Sequence, residues 1–269
     1  MSLRPLLPLF LLALPLGCTG VAKDDTGEAA DTDTDTDTDT DTDTDTDTDT
    51  DTDTDTDVDV DEVQGTIVFV DFGTGAAQSG VSVSAAGDTF TSDATGATRV
   101  SIPKDSFTDL QVTQAGFLPT HLYLAADAES DWSLGFGLAS SLLVGGVERA
   151  FGITYDPTLA TIIVAVQEPD GAGGWQTAGG ASVALDVVHQ GAVSKEADGD
   201  YAASAVLEAG GGNFVAFANV AVGAVNVSVA PRSGLVCTTF PSGTRLELAV
   251  ETHADSLTSV IVRCTPPPG

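Results

Sequence analysis

Positive charge is what this chain has least of. Nine Lys and Arg stand against 40 Asp and Glu, a formal charge of −31. Proteins that hold nucleic acid neutralise phosphates with clustered Lys and Arg. No basic stripe occurs here, so a nucleic-acid partner is excluded. Methionine is confined to Met1, and cysteine to Cys18, Cys237 and Cys264. Long apolar runs are missing as well. The leader Leu6–Leu16 has the length of a signal-peptide apolar region and falls short of the ~20 residues a spanning helix needs. Pro5, Pro8 and Pro15 further disfavour a continuous helix there.

That leader runs into Leu14-Pro15-Leu16-Gly17-Cys18-Thr19-Gly20, a junction that resembles the lipobox of bacterial lipoproteins. The resemblance implies that residues 1–17 are a signal peptide and that Gly17 is the last residue removed. Cys18 then becomes the N-terminus, with diacylglycerol on its thiol and a fatty acyl group (such as palmitate) on its amine. Several acyl chains give stable membrane anchoring where one gives only marginal binding. Pro15 departs from the family, which prefers Leu at that place; here Leu14 sits one step too early. The alternative is an ordinary secreted protein with an incidental Cys18. Thr19, rather than Asp, follows the cysteine, which resembles an outer-membrane address. With Cys18 lipidated, Cys237 and Cys264 remain as an even pair in an oxidising compartment, and a disulfide between them is expected. Closing that loop contributes about 3–4 kcal/mol on the chain-entropy account. Two buried free thiols are the alternative.

The acidic charge is unevenly spread. Residues 1–62 hold 20 acidic residues, and residues 63–269 hold the other 20 against seven basic ones. From Asp31 to Asp57, Asp and Thr alternate without a break. A strand of this pattern would place like charges ~6.8 Å apart on one face, inside the Debye length of ~8 Å. Neighbours then repel by roughly 0.6 kcal/mol even in water. No apolar face offsets this, and Asp and Thr are poor helix formers. Residues 18–62 are therefore expected to be a disordered, self-extended, lipid-anchored spacer. Random-coil scaling gives ~40 Å of reach and full extension at most ~150 Å. Specific calcium binding is disfavoured because no Gly supplies the sharp turn such loops use. Thr-linked glycans and loose counterion attraction stay open.

From Gln64 the pattern changes. Gln64–Asp71, Val81–Ser84, Thr89–Thr91 and Leu110–Thr113 read as short strands, separated by Gly73-Thr74-Gly75 and Asp93-Ala94-Thr95-Gly96 turns. Such spacing indicates an antiparallel β-sandwich. The run Gly65, Thr74-Gly75, Gly80-Val81-Ser82-Val83, Ser92 to Gly96, Leu110-Gln111-Val112 and Gly116-Phe117 resembles the carboxypeptidase-regulatory-like (transthyretin-like) modules. It departs from them at Ala77-Gln78 and Thr98. The resemblance implies a non-catalytic accessory module and lends no active site. A second strand-rich region includes Thr161–Val166, Gly180–Asp186, Asn213–Val220 and Val225–Val229, and it looks like a divergent copy. The expected organisation is thus all-β: a sandwich over 63–126, a connecting segment over 127–148 and a second sandwich over 149–269.

Chemistry is sparse. His121, His189 and His253 lie far apart with no HExxH spacing and no Cys partners. They are expected at the surface or at strand edges, with no metal site. Gly73-Thr74-Gly75 lacks the rest of a dinucleotide loop, and Gly171-Ala172-Gly173-Gly174 lacks the Lys-Ser/Thr of a P-loop. Gly210-Gly211-Gly212 is expected to be a flexible loop. Asp198-Gly199-Asp200 suits a hairpin turn better than a calcium loop. Trp132 and Trp175 are suited to core packing or, alternatively, to stacking on a sugar ring. No catalytic residue or cofactor is nominated. The expected role is a non-catalytic, exported envelope protein, held to a membrane by lipid and facing an unidentified protein or glycan ligand.

Overall fold

The computed structural model describes residues 62–126, 132–241 and 248–267. The expected signal peptide, the lipidated Cys18 and the Asp-Thr spacer lie outside the described residues.

Alternation dictates the first strands. β1 (Glu62–Asp71) turns Val63, Ile67 and Phe69 inward, with Gly65 between them. A Cβ at Gly65 would lie 2.0 Å from the Trp132 ring, so only glycine lets that indole lie against the backbone. β2 (Ser82–Ala85) and β3 (Asp88–Thr91) form a hairpin over Ala86-Gly87, both at positive φ, the backbone a two-residue turn needs to match strand twist. β4 (Ala97–Pro103), β5 (Ser106–Thr113) and β6 (Thr120–Ala126) follow. Of the turn glycines, Gly75, Gly80, Gly96 and Gly116 take positive φ, whereas Gly65 lies within β1 and does not.

The stretch read as a connecting segment is largely regular structure. Trp132, Leu134, Phe136 and Leu138 alternate along β7 (Trp132–Leu138), which pairs in parallel with β1. α1 (Ser141–Ala150) is capped by Ser140, whose hydroxyl accepts from the Leu143 amide at 3.2 Å. The strand period was hidden by the glycines at 135 and 137 between its larger residues.

The second half supplies β8 (Ala160–Pro169), β9 (Trp175–Thr177), β10 (Ser182–Leu185), β11 (Gly191–Lys195), β12 (Tyr201–Ala202), β13 (Phe214–Val220), β14 (Gly223–Ala230), β15 (Val236–Thr239), β16 (Ala249–Thr252) and β17 (Leu257–Thr265). The fold is all-β apart from α1. One 11-stranded sheet runs β12-β11-β13-β8-β17-β6-β5-β2-β3, with β9 added to β8 and β15 added to β17. β17 lies parallel to both β8 and β6. Leu257 faces Thr120 on one side and Thr161 on the other.

Parity shows how the sheet is covered. On β17, Leu257 and Ile261 join one core, while Val260, Val262 and Cys264 join another. On β8, Ile163 and Ala165 pack against the first core, whereas Ile162, Val164 and Val166 belong to the second. The three-stranded sheet β4-β1-β7 contributes its inward residues to the first core, and β10-β14-β16 contributes Val183, Val225, Val227 and Val250 to the second. The central strands are therefore buried on both faces, which explains their unbroken apolar runs. Most ladders are antiparallel, as expected. β17–β6, β17–β8 and β1–β7 are parallel, and each joins strands far apart in sequence, as the long crossover of a parallel pair requires.

Candidate functional site

Cys237 and Cys264 stand opposite each other on β15 and β17 and form a disulfide with a Cα–Cα distance of 3.9 Å. Both are buried in the second core. Cys18 lies outside the described residues.

The two tryptophans part company. Trp132 is buried in the first core, edge-on to Phe240 at 5.7 Å. Trp175, on the short added strand β9, remains 38% exposed. The Arg263 guanidinium carbon lies 4.0 Å from the Trp175 ring and 4.1 Å from the Phe240 ring, so the cation is held between two aromatic groups. Burial pushes Arg263 down to about 10, leaving it charged at neutral pH. The register explains the stack. Thr238 faces Arg263 and Gln167 faces it from the other side, which puts Phe240 and Trp175, two residues further along β15 and back along β9, on the same face.

The turns behave as turns. In Asp198-Gly199-Asp200, the Asp198 carboxylate accepts from the Asp200 amide at 3.0 Å, and Gly199 takes positive φ. Asp170 accepts from the Ala172 and Gly174 amides at 2.7 and 2.8 Å, and those bonds hold its carboxyl below the usual range. The Gly210–Gly212 segment, expected to be flexible, is packed. Gly212 donates to the Lys195 carbonyl at 2.8 Å, and a Cβ at Gly211 would meet that carbonyl at 2.3 Å.

Spacing along the chain did not reveal what the register assembles around His121. Asp109 on β5 faces Tyr123 and His121 on β6 faces Gln111, so Asp109 and His121 are diagonal neighbours on one face. The His121 Nδ1 lies 2.8 Å from an Asp109 carboxylate oxygen. His253, in the turn between β16 and β17, stacks on His121 with ring centroids 4.0 Å apart and planes inclined by 22°. Tyr123 beside them bonds the Glu251 backbone, with its hydroxyl accepting from the Glu251 amide at 3.0 Å. Burial, with the nearby charges of Asp109 and Glu251, pushes that phenol up. His189 is elsewhere, edge-on to Phe217 at 4.9 Å.

One buried carboxyl stands apart from both clusters. Glu148 of α1 is 4% exposed, accepts only a long bond of 3.5 Å from the Thr161 hydroxyl, and has its other oxygen unpartnered. Burial raises it above the ordinary carboxyl range. Nearby, the Tyr155 hydroxyl donates to Asp255 at 2.6 Å.

No helix among the described residues is long and apolar enough to cross a membrane. No family model matches the chain, and no curated protein does. Among solved structures, the chain is similar to the TIE protein of Bacillus anthracis, at 10% identity and a TM-score of 0.26, over 77% of this chain and about a third (34%) of that one. It is also similar to the minor pilin GBS52 of Streptococcus agalactiae (10% identity, TM-score 0.28, 77% and 97% coverage). The major pilin T-13 of Streptococcus pyogenes gives 6% identity and a TM-score of 0.26, over 77% of this chain and 97% of that one. Likenesses at these scores carry no argument about function.

Proposed function

We propose that this chain is a non-catalytic, lipid-anchored protein of the cell envelope that displays its β-sandwich unit for adhesion, recognition or scaffolding. In this reading residues 1–17 are removed, Cys18 carries the lipid and the Asp-Thr tract holds the folded part away from the membrane. An outer-membrane or cell-surface location follows from Thr19 after the lipidated cysteine. The observation that carries the reading is the Cys237–Cys264 disulfide. It supports an oxidising compartment for the folded part, uses two of the three cysteines and leaves Cys18 as the odd thiol at the Gly-Cys junction. The kinship of 63–126 with carboxypeptidase-regulatory-like modules belongs to the same proposal. So does the treatment of 63–126 and 149–269 as two sandwiches, here sharing β17. Mass spectrometry of the mature protein from cells should find an acylated Cys18. An unmodified Cys18, or an N-terminus elsewhere, overturns the anchor.

A second reading is favoured by Trp175. Its exposed indole, braced by Arg263, suits the apolar face of a sugar ring, as in a carbohydrate-binding module working beside an enzyme on another chain. Glycan-array binding that is lost in Trp175→Ala supports this reading. Absence of glycan signal, with protein partners captured by crosslinking on intact cells, supports display for protein recognition instead.

A further inference from the structure

We propose that Asp109, His121 and His253 form a binding site for a first-row divalent transition cation of the zinc type. One carboxylate oxygen and one ring nitrogen from each histidine all lie within 4.8 Å of one another. A tetrahedral ion with bonds of about 2.0–2.1 Å needs its donors about 3.3 Å apart. The Asp109–His121 separation is already 2.8 Å, so that edge of the tetrahedron has only to open slightly. The remaining closure falls to His253, which is exposed, sits in a turn and exchanges its stack on His121 for the bond to the ion.

The donors choose the metal. Two imidazoles and one carboxylate suit zinc-class ions, whereas calcium takes six to eight oxygens. Asp109 also presents an unmet electrostatic demand. Its second oxygen, Oδ1, is shielded from water and has no hydrogen-bond partner. A carboxylate in that state is costly unless a positive charge stands beside it. A dication meets this demand better than the single contact between Asp109 Oδ2 and His121 Nδ1 does.

The placement gives the ion a mechanical role. Asp109 and His121 belong to the central sheet, and His253 directly follows β16 of the outer sheet. A bound ion therefore clamps the outer sheet to the central one at the second core. The exposure of His253 leaves a fourth position open to water or to a donor from a partner.

The test uses the full-length chain, with Zn²⁺ alone as the probe in isothermal titration and Co²⁺ as a spectroscopic substitute. The Asp-Thr tract attracts cations loosely, so the His121→Gln/His253→Gln chain supplies the background. The expected result is one site per chain above that background, weakened at least about tenfold in either single variant. Co²⁺ should give the intense visible bands of tetrahedral nitrogen and oxygen ligation, and Asp109→Asn should diminish them. Near-ultraviolet circular dichroism without metal checks that the variants fold; His253→Gln, at an exposed turn, keeps the test decisive if His121→Gln does not. Zinc binding no tighter than the double variant, or unchanged by His253→Gln, overturns the proposal.

Discussion

The two faces of the central sheet are filled in different ways. The first core sets four aromatic rings among aliphatic residues. Phe69 meets Phe136 edge-on at 6.2 Å, Trp132 meets Phe240, and Gly65 vacates the space the indole occupies. The second core is built mainly from Val with some Ala and Leu, with Phe217 as its large, fully enclosed side chain and the disulfide within it. Large rings bury much area per residue but demand a matching void. Small β-branched residues interlock readily, yet each adds little, so a covalent staple contributes proportionately more. The same strands serve both strategies because alternate residues of β8 and β17 face opposite ways.

Variants can break or sharpen this contrast. The largest loss is expected from Phe217→Ala, about 3–5 kcal/mol in denaturant unfolding, because the second core has few other large groups to collapse inward. A loss below that of a Val→Ala change nearby would mean that the small residues carry that core. Next comes Cys237→Ala/Cys264→Ala, expected to cost about 3–4 kcal/mol for a loop spanning 27 residues. Insensitivity of wild-type unfolding to reducing agent would remove the staple from the account. Gly65→Ala should cost about 2–3 kcal/mol through overpacking against Trp132, and near-ultraviolet dichroism should report a displaced indole. Trp175→Ala should cost under about 1 kcal/mol, since the ring is partly exposed and its cation–π contact is weak there.

The smallest effect is a matter of pH. Burial raises Glu148, so the folded state holds that proton more tightly than the unfolded chain does. Its contribution to stability is present below the unfolded carboxyl range and is lost as pH rises through its folded value. Glu148→Gln should therefore gain on the wild type between pH 4 and pH 8 and match it at pH 4, as read from melting temperatures across that range. Asp93 and Asp170 run the other way. Their carboxyls are lowered, chiefly by the Thr95 side chain and the Ala172 amide respectively, and their contribution disappears as pH falls. A gain for Glu148→Gln that is independent of pH would show that packing, not titration, governs the site.

Much of this was legible in the residues themselves. Alternation along Val81–Ser84 and Leu110–Thr113 marked strands, and the Cys237–Cys264 pairing followed from counting thiols once Cys18 was set aside. The turn at Asp198-Gly199-Asp200 also read correctly. What local pattern could not convey was pairing between distant strands. β7 hid behind its glycines, and nothing near Leu257–Thr265 announces that this strand separates β6 from β8. The Asp109, His121 and His253 cluster escaped for the same reason, because its members meet only through the β5–β6 register and the arrival of the β16–β17 turn. Gly210–Gly212 misled because glycine permits close packing as well as freedom, and here the Lys195 carbonyl uses the former.

The position of β17 has a consequence for how the chain is made. β6 and β8 leave the ribosome roughly 90 or more residues ahead of the strand that must lie between them. Until it emerges, both keep an open hydrogen-bonding edge, the first core lacks Leu257 and Ile261, and the second lacks Val260, Val262 and Cys264. The growing polypeptide is thereby kept pliable through most of its synthesis, and the central sheet is completed only once the last strand is made.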